Sequence, residues 1–353
     1  MGALARWARR RRRVRLPGVS PGDGSLRIVH LVRASNGLEP YERFIEALRA
    51  NPPGIEGGLV LALKGFARDS DAEPYLQLAA DLEPEAIFFG DEGLDLGVYL
   101  ASATKLRVDR YCFMNSFSEP LATDWLAKLD AALARPGVGL VGATGSWASP
   151  LSWTAHTLRL RNAYSGVLPA PRDAIAQMID FEAAGRGPAV PGADHGPTSR
   201  WRNRLRGLAE LPERCLPNQR FPSYHVRTNA FMISHRTLAS LRMFPIVEKS
   251  DAHLLENGRL SLTSQVLRRG LQALVVDRHG AVFEPGSWDR SSTFWQGDQE
   301  GLMVADNQSR SYERAGPERR RLLSGYAWGP SAAPDARSGA GETGSREGAR
   351  RQP

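Results

Sequence analysis

Two carboxylates, Asp251 and Glu256, stand five positions apart in "KSDAHLLENGRLSLTSQVLRRG" (249–270), just before an Asn257-Gly258 turn. A carboxylate so placed can take the proton of a hydroxyl whose oxygen attacks an electrophile. Glu256 leads because the helical pattern of "RLSLTSQVL" follows it. The positive end of that helix dipole would hold the carboxylate ionised, although simple capping of the helix explains the same position. Arg33 and Lys64 each follow a short apolar run, Ile28–Val32 and Leu59–Leu63. Cations at such sites stabilise negative charge growing on a leaving oxygen, and Arg227 is a third of this kind. Each alone also reads as a solvated surface charge. In "YCFMNSFSEP" (111–120) four mostly apolar residues run into Asn115 and Ser116, which offer an amide and a hydroxyl to a polar ligand. The local alternative is a closed turn, with Ser118 as the N-cap of a helix opening at Pro120. His279, alone beside a glycine, reads as a turn residue.

These residues need elements to hold them. Ile28–Val32, Leu59–Leu63, Ala86–Phe89, Tyr111–Met114 and Val138–Ala143 are apolar runs of strand length. Between them Tyr41, Phe44, Ile45 and Leu48 fall on one helix face, as do Leu121, Trp125, Leu126, Leu129 and Leu133. Strands alternating with helices predict an α/β fold with a mainly parallel central sheet covered on both faces. Regularity fades after about residue 150 and returns with "NAFMIS" (229–234), a helix near 260–269 and "LQALVV" (271–276). One body over 25–317 with an insertion at about 150–228 follows, and no internal repeat is visible. A loose segment of that length reads as a lid or partner surface near the carboxyl ends of the strands, where open sheets bind ligands.

The net charge of +8 is unevenly placed. Residues 1–15 hold seven arginines and no acid, and residues 318–353 carry seven arginines against four acids. The body between is slightly acidic, so it is no nucleic-acid platform. Residues 1–24 read as a disordered basic arm and 318–353 as a disordered tail. The arm runs into Pro-Gly-Val-Ser-Pro-Gly rather than an apolar segment, unlike a secretory signal. Cys112 and Cys215 cannot form a disulfide framework, and a reducing compartment is the default. No G-x-G-x-x-G follows a strand, which argues against a nicotinamide cofactor.

"VHLVRASNGLEPYERFIEALRAN" (29–51) resembles the opening of the type A glycosyltransferase (GT-A) fold of nucleotide-sugar transferases. "LDLGVYLASATKLRVDRYCFMNS" (94–116) is similar to that fold's helix and strand leading to its metal-binding Asp-x-Asp. The 249–270 segment resembles the late helix whose start holds the catalytic base. "STFWQGDQEGLMVADNQSRSYE" (292–313) looks like the tail of a bacterial subgroup of surface-polysaccharide enzymes.

The resemblance implies a cytoplasmic, hexosyltransferase-like enzyme of cell-envelope polysaccharide synthesis. It would move sugar from a nucleotide-sugar donor to a glycan or lipid-linked acceptor. Inversion with Glu256 as base is implied, with Asp251 as the runner-up. Arg33, Asn36, Lys64, Asn115, Ser116 and Arg227 would contact the donor. Trp147, Trp153 and His156 would pack against the acceptor sugar, or simply in a core. A divalent Mn or Mg would belong to the family's site. Here Asn115, Ser116, Phe117 and Ser118 replace Asp-x-Asp, and amide or hydroxyl oxygens are weak ligands for a hard cation unless Glu119 or another acid substitutes. The arginine run would bring the enzyme to an anionic membrane surface, with no specific nucleic acid as partner. The missing carboxylates support a different class: a catalytically inactive relative that binds glycans or organises a complex.

Overall fold

A computed structural model describes residues 9–18, 24–92, 94–149 and 219–329. Their core is an eight-stranded sheet built from β1 (Leu26–Arg33), β2 (Gly58–Lys64), β3 (Glu85–Phe89), β4 (Arg110–Met114), β6 (Val138–Gly142), β9 (Ala230–Ser234), β10 (Gln272–Val276) and β11 (Val282–Phe283). The spatial order is β11-β10-β6-β9-β4-β1-β2-β3, and β7 (Gly145–Ser146) pairs antiparallel with β8 (His225–Val226) in a separate two-stranded ribbon. The pairs β1–β2, β2–β3, β1–β4 and β6–β10 are parallel. β9 runs antiparallel to both β4 and β6. Its direction has a consequence for function: residues 227–229, entering β9, lie at the carboxyl ends of the parallel strands.

Alternation along each strand divides the core in two. Val29, Leu31, Val60, Ala62, Tyr111, Phe113, Phe231 and Ile233 face one layer. Ile28, Val32, Leu59, Leu61, Cys112, Met114 and Met232 face the other. The second layer is closed by α1 (Glu39–Ala50), α2 (Glu73–Leu78) and α4 (Trp125–Leu133). α1 buries Tyr41, Phe44, Ile45 and Leu48, the face predicted from spacing, and has Pro40 in its first turn, where a missing N–H costs nothing. The first layer is closed by α3 (Asp95–Lys105), α5 (His235–Ser240), α6 (Lys249–Glu256) and α7 (Leu262–Leu267). The mainly parallel, doubly covered sheet expected from the sequence is therefore the observed architecture.

Three local expectations differ. No helix opens at Pro120: β5 (Glu119–Pro120) pairs antiparallel with β12 (Val304–Ala305), and α4 starts only at Trp125. Ser118 is thus no N-cap; its hydroxyl donates to the Asn229 carbonyl, with Asn115 Oδ1 3.0 Å away. The arm is docked along 9–18, where Val14 N donates to Met243 O at 2.9 Å and Arg9 and Arg10 pair with Asp251. The tail forms α9 (Pro317–Trp328), which buries Leu323, Ala327 and Trp328, with Trp328 Nε1 donating to Phe294 O at 2.7 Å. Its polar composition hid a narrow apolar stripe. Most of the insertion, Cys215 and the residues after 329 lie outside the described residues. No helix among the described residues is long and apolar enough to cross a membrane.

Candidate active site

Glu256 is the last residue of α6, not the start of the next helix, which begins at Leu262 behind a Ser261 cap. It therefore stands at the negative end of a dipole, the reverse of the sequence expectation. Burial, and then the negative charge of Asp95, push its carboxyl up to about 7, against the pull of Lys249 and Arg227. Among the described residues its carboxylate accepts no hydrogen bond. A half-ionised carboxylate near neutral pH is suited to accept a proton from an attacking hydroxyl.

The cations gather around the same end of the sheet. Arg33 ends β1 and pairs with Asp95 at the first position of α3. Lys64 ends β2; its ammonium is buried and donates to Asp91 O at 2.8 Å and Asp91 Oδ1 at 3.0 Å. Lys64 holds the Asp91 carboxyl below its usual range, with Arg33 adding a smaller pull. Arg227 donates to Asp306 Oδ2 at 2.7 Å and Gln308 Oε1 at 2.9 Å, with its guanidinium 3.7 Å from the Phe294 ring centroid. Tyr99, one turn after Asp95, donates to Thr228 O at 3.4 Å, and its hydroxyl feels both Asp95 and Glu256. Asn115 N donates to Asn229 O at 3.0 Å, one residue further on. Glu256, Arg33, Arg227 and Asn115 are thus linked through α3 and residues 227–229.

Arg33, Asn36 and Ser116 line one narrow crevice with His30 and Tyr41. Asn36 Nδ2 donates to Ser116 Oγ at 2.8 Å. A second cleft, of about 340 Å³, opens beside Asp91 between Phe89, Glu92 and the opposite face of α3, around Gly97, Val98 and Ala101.

The donor set does not fit a divalent cation. Asn115 Oδ1 already accepts from Phe117 N at 2.9 Å, with Ser118 Oγ 3.0 Å away. Glu119, the suggested substitute, is bound by Arg43 at 3.0 Å and Arg310 at 2.8 Å. Among the described residues no three His, Cys, Asp or Glu side chains group as a metal site.

Other candidates fall elsewhere. Asp251 is fully buried in the first turn of α6, takes Arg9 at 2.9 Å and Arg10 at 2.7 Å, and closes a capping box with Glu248. Burial opposes its charge, but Arg10 and the Glu248 and Val247 amides outweigh that and hold the carboxyl below its usual range. With its oxygens occupied, it is no general base. Trp147 packs edge-on against Phe221, Tyr224 and Trp328 while Nε1 donates to Pro285 O at 2.9 Å, the core alternative. Trp153 and His156 lie outside the described residues. His279 is a turn residue, its amide bonded to Asp277 Oδ1. Sequence reasoning missed Asp95, Asp306 and Asn229. The 292–313 segment gains a role as the wall behind Arg227, with Asp306 capping α8 (Asn307–Glu313) and Trp295 Nε1 donating to Gln308 O at 3.2 Å.

No family model and no curated protein matches the chain. Among solved structures, it is similar to the mannosyltransferase PcManGT from Pyrobaculum calidifontis in complex with GDP-Man and Mn2+. Identity there is 14%, over 40% of this chain and 42% of that one, with a TM-score of 0.28. It is also similar to glucosyl-3-phosphoglycerate synthase from Mycobacterium tuberculosis in complex with UDP. That match has 13% identity over 68% of this chain and 69% of the other, with a TM-score of 0.31. The chain thus spans less than half of the mannosyltransferase. Overlaps this partial leave its own residues to carry any functional conclusion.

Proposed function

We propose that the chain is a GT-A-type glycosyltransferase that moves sugar from a nucleotide-sugar donor to a glycan or lipid-linked acceptor with inversion. The observation that carries this reading is the gathering of Glu256, with its carboxyl raised to about 7, and of Arg33 and Arg227 at the carboxyl end of the sheet. Glu256 removes the acceptor hydroxyl proton as that oxygen attacks the anomeric carbon. The bond to the nucleoside diphosphate breaks on the opposite side, and guanidinium groups take up the charge on the leaving oxygen. Asn36 and Ser116, bonded to each other beside Arg33, offer polar groups to the donor. The engagement of Asn115 and Glu119 by other groups supports a metal-independent transfer. Transfer is therefore expected to persist in EDTA, and a loss of nearly all turnover that manganese restores would refute the metal-independent step.

The pairing of Arg33, Lys64 and Arg227 with carboxylates favours a second reading, an inactive scaffold that binds glycans or organises a complex. A thermal-shift panel of UDP-, GDP-, dTDP- and CMP-sugars, read beside turnover, separates the two. One donor should raise the melting temperature and be consumed; if none does either, the scaffold reading stands.

The enzyme would work at the cytoplasmic face of an anionic membrane. Arg13 and Arg269 both donate to Ser240 O, and Arg242 donates to Arg10 O, so body and arm form one basic surface. Arg12 and Arg15 are exposed beside it. Each such arginine is worth about 1 kcal/mol near an anionic leaflet. Co-sedimentation with phosphatidylglycerol vesicles should therefore be strong at low salt and lost at about 0.5 M, where charges are screened within a few ångströms. Equal binding to neutral phosphatidylcholine vesicles would contradict it.

A further inference from the structure

We infer that the amino-terminal arm is a working part of the active site: through Arg9, Arg10 and Asp251 it fixes the position of α6 and hence of Glu256. Asp251 is in this view a positioning residue, and the inference rests on the proposed role of Glu256 as base. α6 has only eight residues, too few for a helix to hold its own place in water. At its far end the Glu256 carboxylate accepts no hydrogen bond among the described residues, so its place follows that of the helix, whose Ala252, Leu254 and Leu255 are buried in the core. One flank of α6 packs on α3.

The amino-terminal end is held by the arm. Asp251 Oδ2 accepts from Arg9 Nη2 at 2.9 Å, and Oδ1 accepts from Arg10 Nε at 2.7 Å. The amides of Val247 and Glu248 reach Oδ2 at 3.2 and 3.1 Å. Arg10 Nη2 adds Ser250 Oγ at 3.0 Å. From Asp251 to Glu256 is about 7.5 Å of helix rise, so a tilt at the first residue moves the second.

The arm is itself anchored further down. Arg13 Nη2 donates to the carbonyls of Ala239, Ser240 and Leu241, where α5 ends. His235 Nε2 donates to Pro17 O at 2.8 Å, leaving its Nδ1 to accept from Tyr111 on β4 at 2.8 Å. A strap fixed to the central sheet at one end and to α6 at the other transmits its position to Glu256.

The test uses the full chain and three variants: Arg9→Ala with Arg10→Ala, Arg10→Lys alone, and Arg13→Ala. Hydrogen exchange over 249–256 and the Glu256 titration by carboxyl NMR are read without any sugar nucleotide. These readouts therefore hold their meaning even if no transfer activity is found. The double variant should speed exchange in α6 at least about tenfold. It should also lower the Glu256 midpoint toward the ordinary carboxylate range as water reaches it. Arg10→Lys, which keeps the charge and loses the fork, should move both readouts in the same direction and decides the matter if the double variant does not fold. Arg13→Ala, which leaves the Asp251 pairs intact and loosens only a more distant anchor of the arm, should move both readouts far less than the double variant. Unchanged exchange and titration in the Asp251-side variants, or an equal change in Arg13→Ala, would overturn the inference. Where turnover is measurable, kcat should fall with donor KM unchanged.

Discussion

Glu256→Gln is expected to slow sugar transfer by about 10²–10⁴-fold, the range that general-base catalysis supplies, while donor affinity stays within a few fold. The amide keeps the size of the side chain and removes only its capacity to take a proton. At about 1.4 kcal/mol per factor of ten, this corresponds to roughly 3–5 kcal/mol of transition-state stabilisation. The pH dependence carries a second signature. Because burial and Asp95 raise the carboxyl to about 7, the ionised base is lost as pH falls through that value. Turnover should drop about tenfold for each unit well below it. Asp95→Asn removes one of the two causes and should move this limb to lower pH. It also releases Arg33 from its partner, so donor affinity should rise at the same time. A Glu256→Gln enzyme that keeps more than about a tenth of its rate would remove Glu256 from the mechanism. So would an acid limb in the ordinary carboxylate range near pH 4.

Apolar periodicity carried the body of the fold into view. Ile28–Val32 and Leu59–Leu63 lie within β1 and β2, and the Tyr41, Phe44, Ile45 and Leu48 face is buried as its spacing implied. Strand ends therefore located Arg33, Lys64, Asn115 and Ser116. Their partners were not legible, because ion pairing depends on distance in space. Asp95 meets Arg33 from 62 positions away, and Asp251 meets Arg9 from 242 positions away. A composition count treats the arginine run as uniform, whereas Arg9 and Arg10 are spent on a buried acid. The orientation of Glu256 was misread because a helical pattern resumes soon after the Asn257-Gly258 turn, and sequence pattern does not tell whether the residue before that turn ends one helix or leads into the next. The missing Asp-x-Asp was plain in the sequence. That Asn115 and Glu119 would both be engaged internally needed coordinates.

His30→Leu is expected to leave the protein as stable as before at pH 7, or more so, and to flatten its acid sensitivity. His30 is fully buried on β1, its ring stacked 3.6 Å from that of Phe44, and neither ring nitrogen has a protein partner. Burial lowers its pKa to about 3, and burial likewise lowers His225 to about 4. An unfolded histidine titrates near 6.5. Between those values the unfolded chain binds protons that the folded chain refuses, so stability falls as pH is lowered from 6.5. Each histidine contributes a slope of about 1.4 kcal/mol per pH unit. Glu256 opposes one of them, because an acid raised to about 7 binds its proton earlier in the folded state and gains stability as pH falls toward 4.5. The net loss is therefore about 1.4 kcal/mol per unit from pH 6.5 to 4.5 and about twice that just below, until His225 begins to titrate. Removing His30 cancels the first slope and halves the second. At neutral pH the leucine relieves an unpaired buried polar group worth about 1–3 kcal/mol, against about 0.5–1.5 kcal/mol of lost ring stacking. Urea unfolding at pH 7 and pH 5 measures both effects. A His30→Leu protein that is less stable by more than about 2 kcal/mol at pH 7, or that keeps the wild-type difference between the two pH values, would show that the imidazole is satisfied in the fold.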